Sequence, residues 1–221
     1  SVSIDSRGAV SPTTLFDALK GPRHDGHDRI QELAANGVTA FVVDERHSDP
    51  GNGINLIVVR DTLVALQRFA AWHRGHFTIP VIGITGSNGK TVVKEWLFQM
   101  LHRQENIVRS PGSWNSQVGV PLSVLQMGPE HTLAIFEAGM SKPGEMELLE
   151  PIIRPTIGVL TTIGDAHDDG FGGDRAKKEA EKRALFIRAT ALIDGRTIRT
   201  KVIEATDEAC VVHVQAEGSS Y

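Results

Sequence analysis

The chain has 221 residues, enough for one large domain or two small ones with real cores. Its 40% hydrophobic and 23% charged residues are an ordinary globular balance. A net charge of −4 without a basic stripe argues against nucleic acid as a partner, and the lone Cys210 excludes an internal disulfide or a zinc cluster built on cysteines. No apolar run is long enough to span a membrane, and no basic-flanked apolar leader is visible, so a reducing cytoplasm is the expected location.

In chain order, residues 1–77 read as a small α/β unit. A helix is expected over Arg29–Ala35, stopped by Asn36-Gly37, followed by a β-rich run at Thr39–Val43. Asn55–Val59 has the pattern of a buried strand. Leu63, Leu66, Phe69 and Ala70 recur at helical spacing, which predicts an amphipathic helix over 61–74. Gly75 to Pro80 reads as a linker. A second unit begins at Pro80 with the apolar strand Val81–Ile84, a glycine-rich turn, and a helix from Lys90 to about Arg103. Further strands are expected at Ile107–Arg109, Leu133–Phe136 and Ile157–Leu160, with helices between. Strand–helix alternation predicts a parallel sheet covered on both faces. Beyond Thr190 the pattern weakens, with one strand expected near Val211–Val214.

The turn Gly86-Ser87-Asn88-Gly89-Lys90-Thr91 sits between strand and helix, the setting a phosphate needs. Glycines let the backbone fold around the oxygens, Lys90 reaches the β- and γ-phosphates, and the Thr91 hydroxyl suits Mg²⁺. The common phosphate-loop pattern has a glycine where Ile84 stands, so this loop is a shorter G-x-x-G-K-T. The plain alternative is a tight turn with no ligand.

The run Val81–Thr91 resembles the ATP loop of the Mur ligase family, which shares the short form. Three more blocks resemble that family in order: Asn115 to Pro121, Phe136 to Met140 with Gly144-Glu145, and Ile163 to Gly172. The last is similar to the MurF type, and Asp5-Ser6-Arg7, Leu15–Gly21 and His24–His27 resemble the UDP-sugar domain of the MurE and MurF types. Ser87–Trp96 and Arg109–Gln117 resemble the branch fused to an alanine racemase. The resemblance covers residues 1 to about 189. It implies residues 1–77 as a UDP-muramoyl-peptide-binding domain and 80–221 as part of the central ATP-binding domain, with the dipeptide-binding domain absent.

The implied activity is ATP-dependent joining of D-alanyl-D-alanine to UDP-N-acetylmuramoyl-tripeptide through an acyl phosphate, in peptidoglycan precursor synthesis. The implied cofactors are ATP, bound by Gly86 to Thr91, and Mg²⁺. Thr91 would serve a first metal, and Glu137 with His167 a second. Lys90, His167 and Lys182 are the expected catalytic residues. Lys182, in Lys182-Arg183-Ala184-Leu185-Phe186, matches the setting of a carbamylated, metal-holding lysine, with Lys177 and Lys178 as alternatives. The plain reading of all these lysines is a solvated helix face. Asn115 and Gln117 would lie near the muramoyl carboxylate or metals, or merely order a turn. Ser6 and Arg7 would meet the uridine diphosphate, or form a surface salt bridge. Trp72, Trp96 and Trp114 read as packing residues, and His73, His76, His102, His131 and His213 as surface or core. The competing readings are a MurE-like or folylpolyglutamate synthetase-like ligase, and a nucleotide-binding module without turnover. A chain lacking the third domain is expected to be inactive alone.

Overall fold

The computed structural model describes residues 1–7, 11–21, 24–47, 53–164, 171–172 and 174–195, with the backbone of strands over 198–205 and 210–216. Two parallel sheets organise it. The first contains β1 (Val2–Ser3), β2 (Leu15–Asp17), β3 (Ala40–Asp44) and β4 (Asn55–Val59), side by side in chain order and all parallel. Helix α1 (Ile30–Ala35) lies between β2 and β3 in sequence. Phe16, Phe41, Val43 and Leu33 form its core, with the two phenylalanine rings edge to face.

Helix α2 (Thr62–Arg74) joins the two sheets. Its N-terminus is capped by Asp61, whose carboxylate accepts from the Val64 N–H at 2.9 Å. Thr62 ties it to the first unit through the Ala18 carbonyl at 3.3 Å, while Ala70 is buried in the core of the second. Buried Arg74 holds its far end: Nε donates to Ile153 O (2.8 Å), Nη2 to Arg154 O (3.1 Å) and Nη1 to Phe77 O (2.6 Å). These carbonyls, from the end of another helix and from the linker, need a fork of donors, which arginine supplies.

The second sheet has the order β6 (Ile107–Arg109), β7 (Leu133–Glu137), β5 (Val81–Thr85), β8 (Ile157–Leu160), β9 (Ala191–Asp194), all parallel. Strand pleating splits its side chains between two faces. Ile82, Ile84, Leu133 and Ile135 pack against Val93, Leu97 and Leu101 of α3 (Lys90–Leu101). Val81, Ala134, Phe136 and Leu160 pack on the other face, toward α4 (Gly119–Val124) and α5 (Glu145–Ile153). Helix α6 (Arg175–Ala184) packs against α5 and is capped by Asp174. A hairpin of β10 (Ile198–Ala205) and β11 (Cys210–Ala216) follows.

The expected elements are present, with ends shifted by a residue or two, but β4 is an edge strand whose Ile57 and Val58 are exposed, not the buried strand expected. Strands β1, β2, β9 and β10 are not legible in the sequence: β1 and β2 are only two and three residues long, and the pattern around and beyond Thr190 marks neither β9 nor β10. Trp72, Trp96 and Trp114 are 62%, 61% and 44% exposed, so they are not core packing as expected from sequence. Trp72 and Trp96 sit on the outer sides of α2 and α3, and Trp114 lies in the loop before α4.

Candidate nucleotide and metal site

The strand order reverses beside β5, and ligand crevices in such sheets open at the C-terminal ends of the strands there. The loop 86–89 occupies that place. Gly86 is packed so closely that an added Cβ would collide with Thr161 Oγ1. Gly89, with φ +83°, begins α3 in the left-handed region, and a Cβ there would meet open space. Gly86 is therefore required by contact and by its φ of +151°, and Gly89 by backbone angle alone. No side chain caps α3, so its first-turn N–H groups are left for a ligand.

The loop is braced from behind. Ser87 N donates to Thr162 O (2.6 Å), and Thr161 Oγ1 donates to Asn88 O (2.6 Å). Ser87 Oγ donates to Gly164 O and accepts from Gly164 N, both at 3.0 Å. Lys90 folds over the loop, donating to Gly86 O at 2.9 Å. Burial lowers its pKa, and the Glu137 carboxylate opposes that shift.

Strand pleating decides what faces Thr91. Leu133, Ile135 and Glu137 share the α3 side of β7. Glu137 is fully buried; Oε2 accepts from Thr91 Oγ1 at 2.9 Å and Oε1 from Asn115 Nδ2 at 3.3 Å. A hydroxyl and a carboxylate meeting beside a phosphate loop are hard oxygen donors, so the residues present fit Mg²⁺. Asn115 is held in turn: its carbonyl accepts from Gly139 N at 2.7 Å, and a Cβ at Gly139 would fall 2.9 Å from Asn115 Oδ1.

A cleft of about 630 Å³ is lined by Lys90, Asn115, Gln117, Gly139, Glu145 and Lys182. Gln117 spans two elements, accepting from Gln67 Nε2 at 3.0 Å and donating to Glu145 O at 3.0 Å. The solvated-face reading of α6 is corrected: Lys178 and Lys182, one turn apart, are each 2% exposed, whereas Lys177 is exposed and pairs with Asp174. A polar cleft has the same sequence pattern as solvent. Burial, with Lys90 and Lys178 nearby, lowers the Lys182 pKa to about 8. Lys178 donates to Gly164 O at 3.2 Å. His167, with the whole 165–170 stretch, lies outside the described residues.

Ser6 and Arg7 line a separate hollow of about 450 Å³ beside the first sheet. Arg7 pairs with Asp5 at 3.0 Å, and its side chain is 89% exposed. Nothing in the sequence pattern marks the nearby cluster of His27, Asp44 and His47. Asp44 N donates to His27 Nε2 at 3.0 Å, which makes Nδ1 the N–H that faces Asp25 Oδ1 at 2.5 Å. The His27 and His47 rings stack at 4.0 Å, and hydrogen bonds from His47 and Arg46 hold Asp44 well below the usual carboxylate range. Both His27 nitrogens are engaged, so the trio fits a hydrogen-bond network better than a metal site.

This fold and site define a phosphate-loop protein of the parallel α/β class. The model of the Mur ligase middle domain matches residues 84–218, and that of the Mur ligase family catalytic domain matches residues 1–74. The chain belongs to the Mur ligase family. The match runs past residue 189, where the motif resemblance ends.

Among its relatives are UDP-N-acetylmuramoyl-tripeptide–D-alanyl-D-alanine ligases. That of Synechocystis is 39% identical over 83% of this chain and 40% of the relative, and that of Bacillus subtilis 39% identical over 81% and 39%. MurF of Acinetobacter baumannii superposes with a TM-score of 0.79 at 33% identity, covering 87% of this chain and 43% of that one. MurF ligase of Thermotoga maritima in complex with ADP gives 0.83 at 26% identity, covering 97% and 55%. The chain thus spans about two-fifths of the length of these curated relatives. Among the described residues, no helix is long and apolar enough to cross a membrane.

Proposed function

We propose that this chain is the nucleotide- and muramoyl-peptide-binding part of a MurF-type ligase, which joins D-alanyl-D-alanine to UDP-N-acetylmuramoyl-tripeptide at the expense of ATP. The observation that carries this reading is the buried Glu137, held by Thr91 and Asn115 at the mouth of the phosphate loop. The names of the relatives supply the substrates.

In the proposed reaction the γ-phosphoryl group of ATP passes to the tripeptide carboxylate and ADP departs. The dipeptide amine attacks the acyl carbon, phosphate leaves, and the amine proton is lost to a base. Phosphoryl transfer needs positioning and charge neutralisation more than covalent help. Gly86 to Gly89 and the first turn of α3 bind the phosphates, and Lys90 neutralises their charge. Thr91 and Glu137 would hold Mg²⁺, which supplies further neutralisation when bound; His167 belongs to the same proposal. Asn115 and Gln117 orient the muramoyl side, and Ser6 and Arg7 the uridine diphosphate, within residues 1–77.

Lys182 extends the proposal. An amine with a lowered pKa holds a larger neutral fraction, whose nitrogen can attack CO₂ and release a proton, leaving an anionic carbamate as a metal ligand. The wording of Ser87–Trp96 and Arg109–Gln117 further suggests a fused alanine racemase. ATP and nucleotide-sugar substrates fit a cytoplasmic enzyme.

Calorimetry of the chain with Mg·ATP tests the core of the proposal. Measurable affinity is expected, falling at least about a hundredfold in Lys90→Ala, the cost of a strong charge-assisted contact. Equal affinity in folded Lys90→Ala would sink it. A parallel titration with UDP-N-acetylmuramoyl-tripeptide and with a folate separates this reading from the folate-ligase alternative.

A further inference from the structure

Lys94 is fully buried in α3, one turn beyond Lys90, and the proposed reaction gives it no role. Its ammonium donates to Ser110 O at 2.8 Å and to Gly112 O, and pairs with Glu95 Oε1 at 3.3 Å. Glu95 in turn pairs with Arg109 at 3.1 Å. The two carbonyls begin the segment that carries Asn115 and Gln117. Ser110 is itself buried, and its hydroxyl accepts from Glu137 N at 3.2 Å.

These contacts form a closed circuit. Thr91 on α3 reaches Glu137 on β7, Glu137 reaches Asn115, and the segment bearing Asn115 returns to α3 through Lys94. We propose that Lys94 is a positioning residue that couples the nucleotide loop to the substrate-facing segment 110–117. The inference rests on the reading of Asn115 as a site residue.

The chemistry requires a lysine. The buried Ser110 carbonyl and the part-buried Gly112 carbonyl converge on one point, and a compact ammonium with three donors can serve both and still pair with Glu95. An apolar side chain of equal length would leave the buried Ser110 oxygen without a donor from it and release Gly112. The segment would then shift, and Asn115 with it, while the loop at the start of α3 kept its own braces.

The test uses the whole ligase polypeptide, with kcat and KM for ATP and for the UDP-muramoyl tripeptide. Lys94→Met is expected to lower kcat at least tenfold with the KM for ATP within twofold. Lys94→Arg, which keeps the charge, should recover part of the loss. Lys94→Met combined with Asn115→Ala should be no worse than the poorer single variant. Additive penalties, a loss confined to the KM for ATP, or no recovery in Lys94→Arg would overturn the coupling. Wild-type kinetics in Asn115→Ala would instead overturn the site reading beneath it. Should Lys94→Met not fold, Lys94→Gln takes its place. Hydrogen exchange at the Gly139 amide, which donates to Asn115 O, then reads the segment directly. It is expected to quicken, and unchanged exchange would sink the proposal.

Discussion

The two sheets end in opposite kinds of site. The second reverses its strand order beside β5, and a glycine-rich loop there offers backbone N–H groups to a ligand. The first runs β1 to β4 in chain order with no reversal, and its C-terminal ends carry side chains instead: Ser6 and Arg7 after β1, Asp17 in β2, Asp44 in β3. A site made of backbone depends on a contiguous stretch and tolerates few substitutions. A site made of side chains depends on distant residues meeting, and its members are separately replaceable. Variants can break or sharpen that contrast.

The largest effect is expected from Gly86→Ala. The added methyl meets Thr161 Oγ1 in a braced loop, so the loop must move. Overpacking of this kind costs about 1–3 kcal/mol, and nucleotide affinity should fall with stability. Thermal melts with and without Mg·ATP check this; a wild-type ligand-induced rise in Tm would show that the backbone cradle is less exacting than argued.

Lys182→Ala comes next. Ligase activity of the whole polypeptide should drop by about two orders of magnitude, as for a lost charged contact at a reacting centre. If Lys182 bears a carbamate, small carboxylates should restore part of it by replacing the missing oxygens. A ¹³C-bicarbonate label should give a carbamate resonance in the parent and none in the variant. A parent spectrum without that resonance, under metal and nucleotide, would end the carbamate reading.

Asp17 tests the first sheet. It is 2% exposed, its Oδ1 has no hydrogen-bond partner, and burial, with Asp61 nearby, raises its pKa to about 7. The folded state therefore holds the proton more tightly than the unfolded chain, whose ordinary value is 3.8. The stability this group contributes is complete below pH 3.8 and is lost as pH rises through 7. Asp17→Asn should flatten that dependence and stabilise the chain at pH 8. Urea melts at pH 4 and pH 8 check it, and an unchanged difference between the two would remove Asp17 as its source.

The smallest effect on stability is expected from Arg7→Ala. The Asp5–Arg7 pair is exposed, and exposed pairs contribute little. Tm should not move measurably. Affinity for UDP-N-acetylmuramoyl-tripeptide should fall about tenfold if Arg7 meets the diphosphate. No change in affinity would leave the pair as surface chemistry and detach Arg7 from the site.

The sequence by itself determined what is local. A strand, a glycine turn, a lysine and a helix start are contiguous, so the loop at Gly86–Thr91 and its bracing strand were legible at once. The strands Ile107–Arg109 and Ile157–Leu160 were legible to the residue, because short β-branched runs between helical segments leave a plain signal. Tertiary structure decided everything that depends on two elements meeting. Whether Lys178 and Lys182 are wet or buried depends on what stands opposite α6, and a polar helix face is written alike for water and for a polar cleft. Lys94 reads as one more charge in an amphipathic helix until the Ser110 and Gly112 carbonyls close on it. His27 lies far in sequence from Asp44 and His47, and the three become a cluster only because β3 ends beside the turn at Gly26. A charged side chain's energy is set by its neighbours in space, which neither its type nor its position in the sequence specifies.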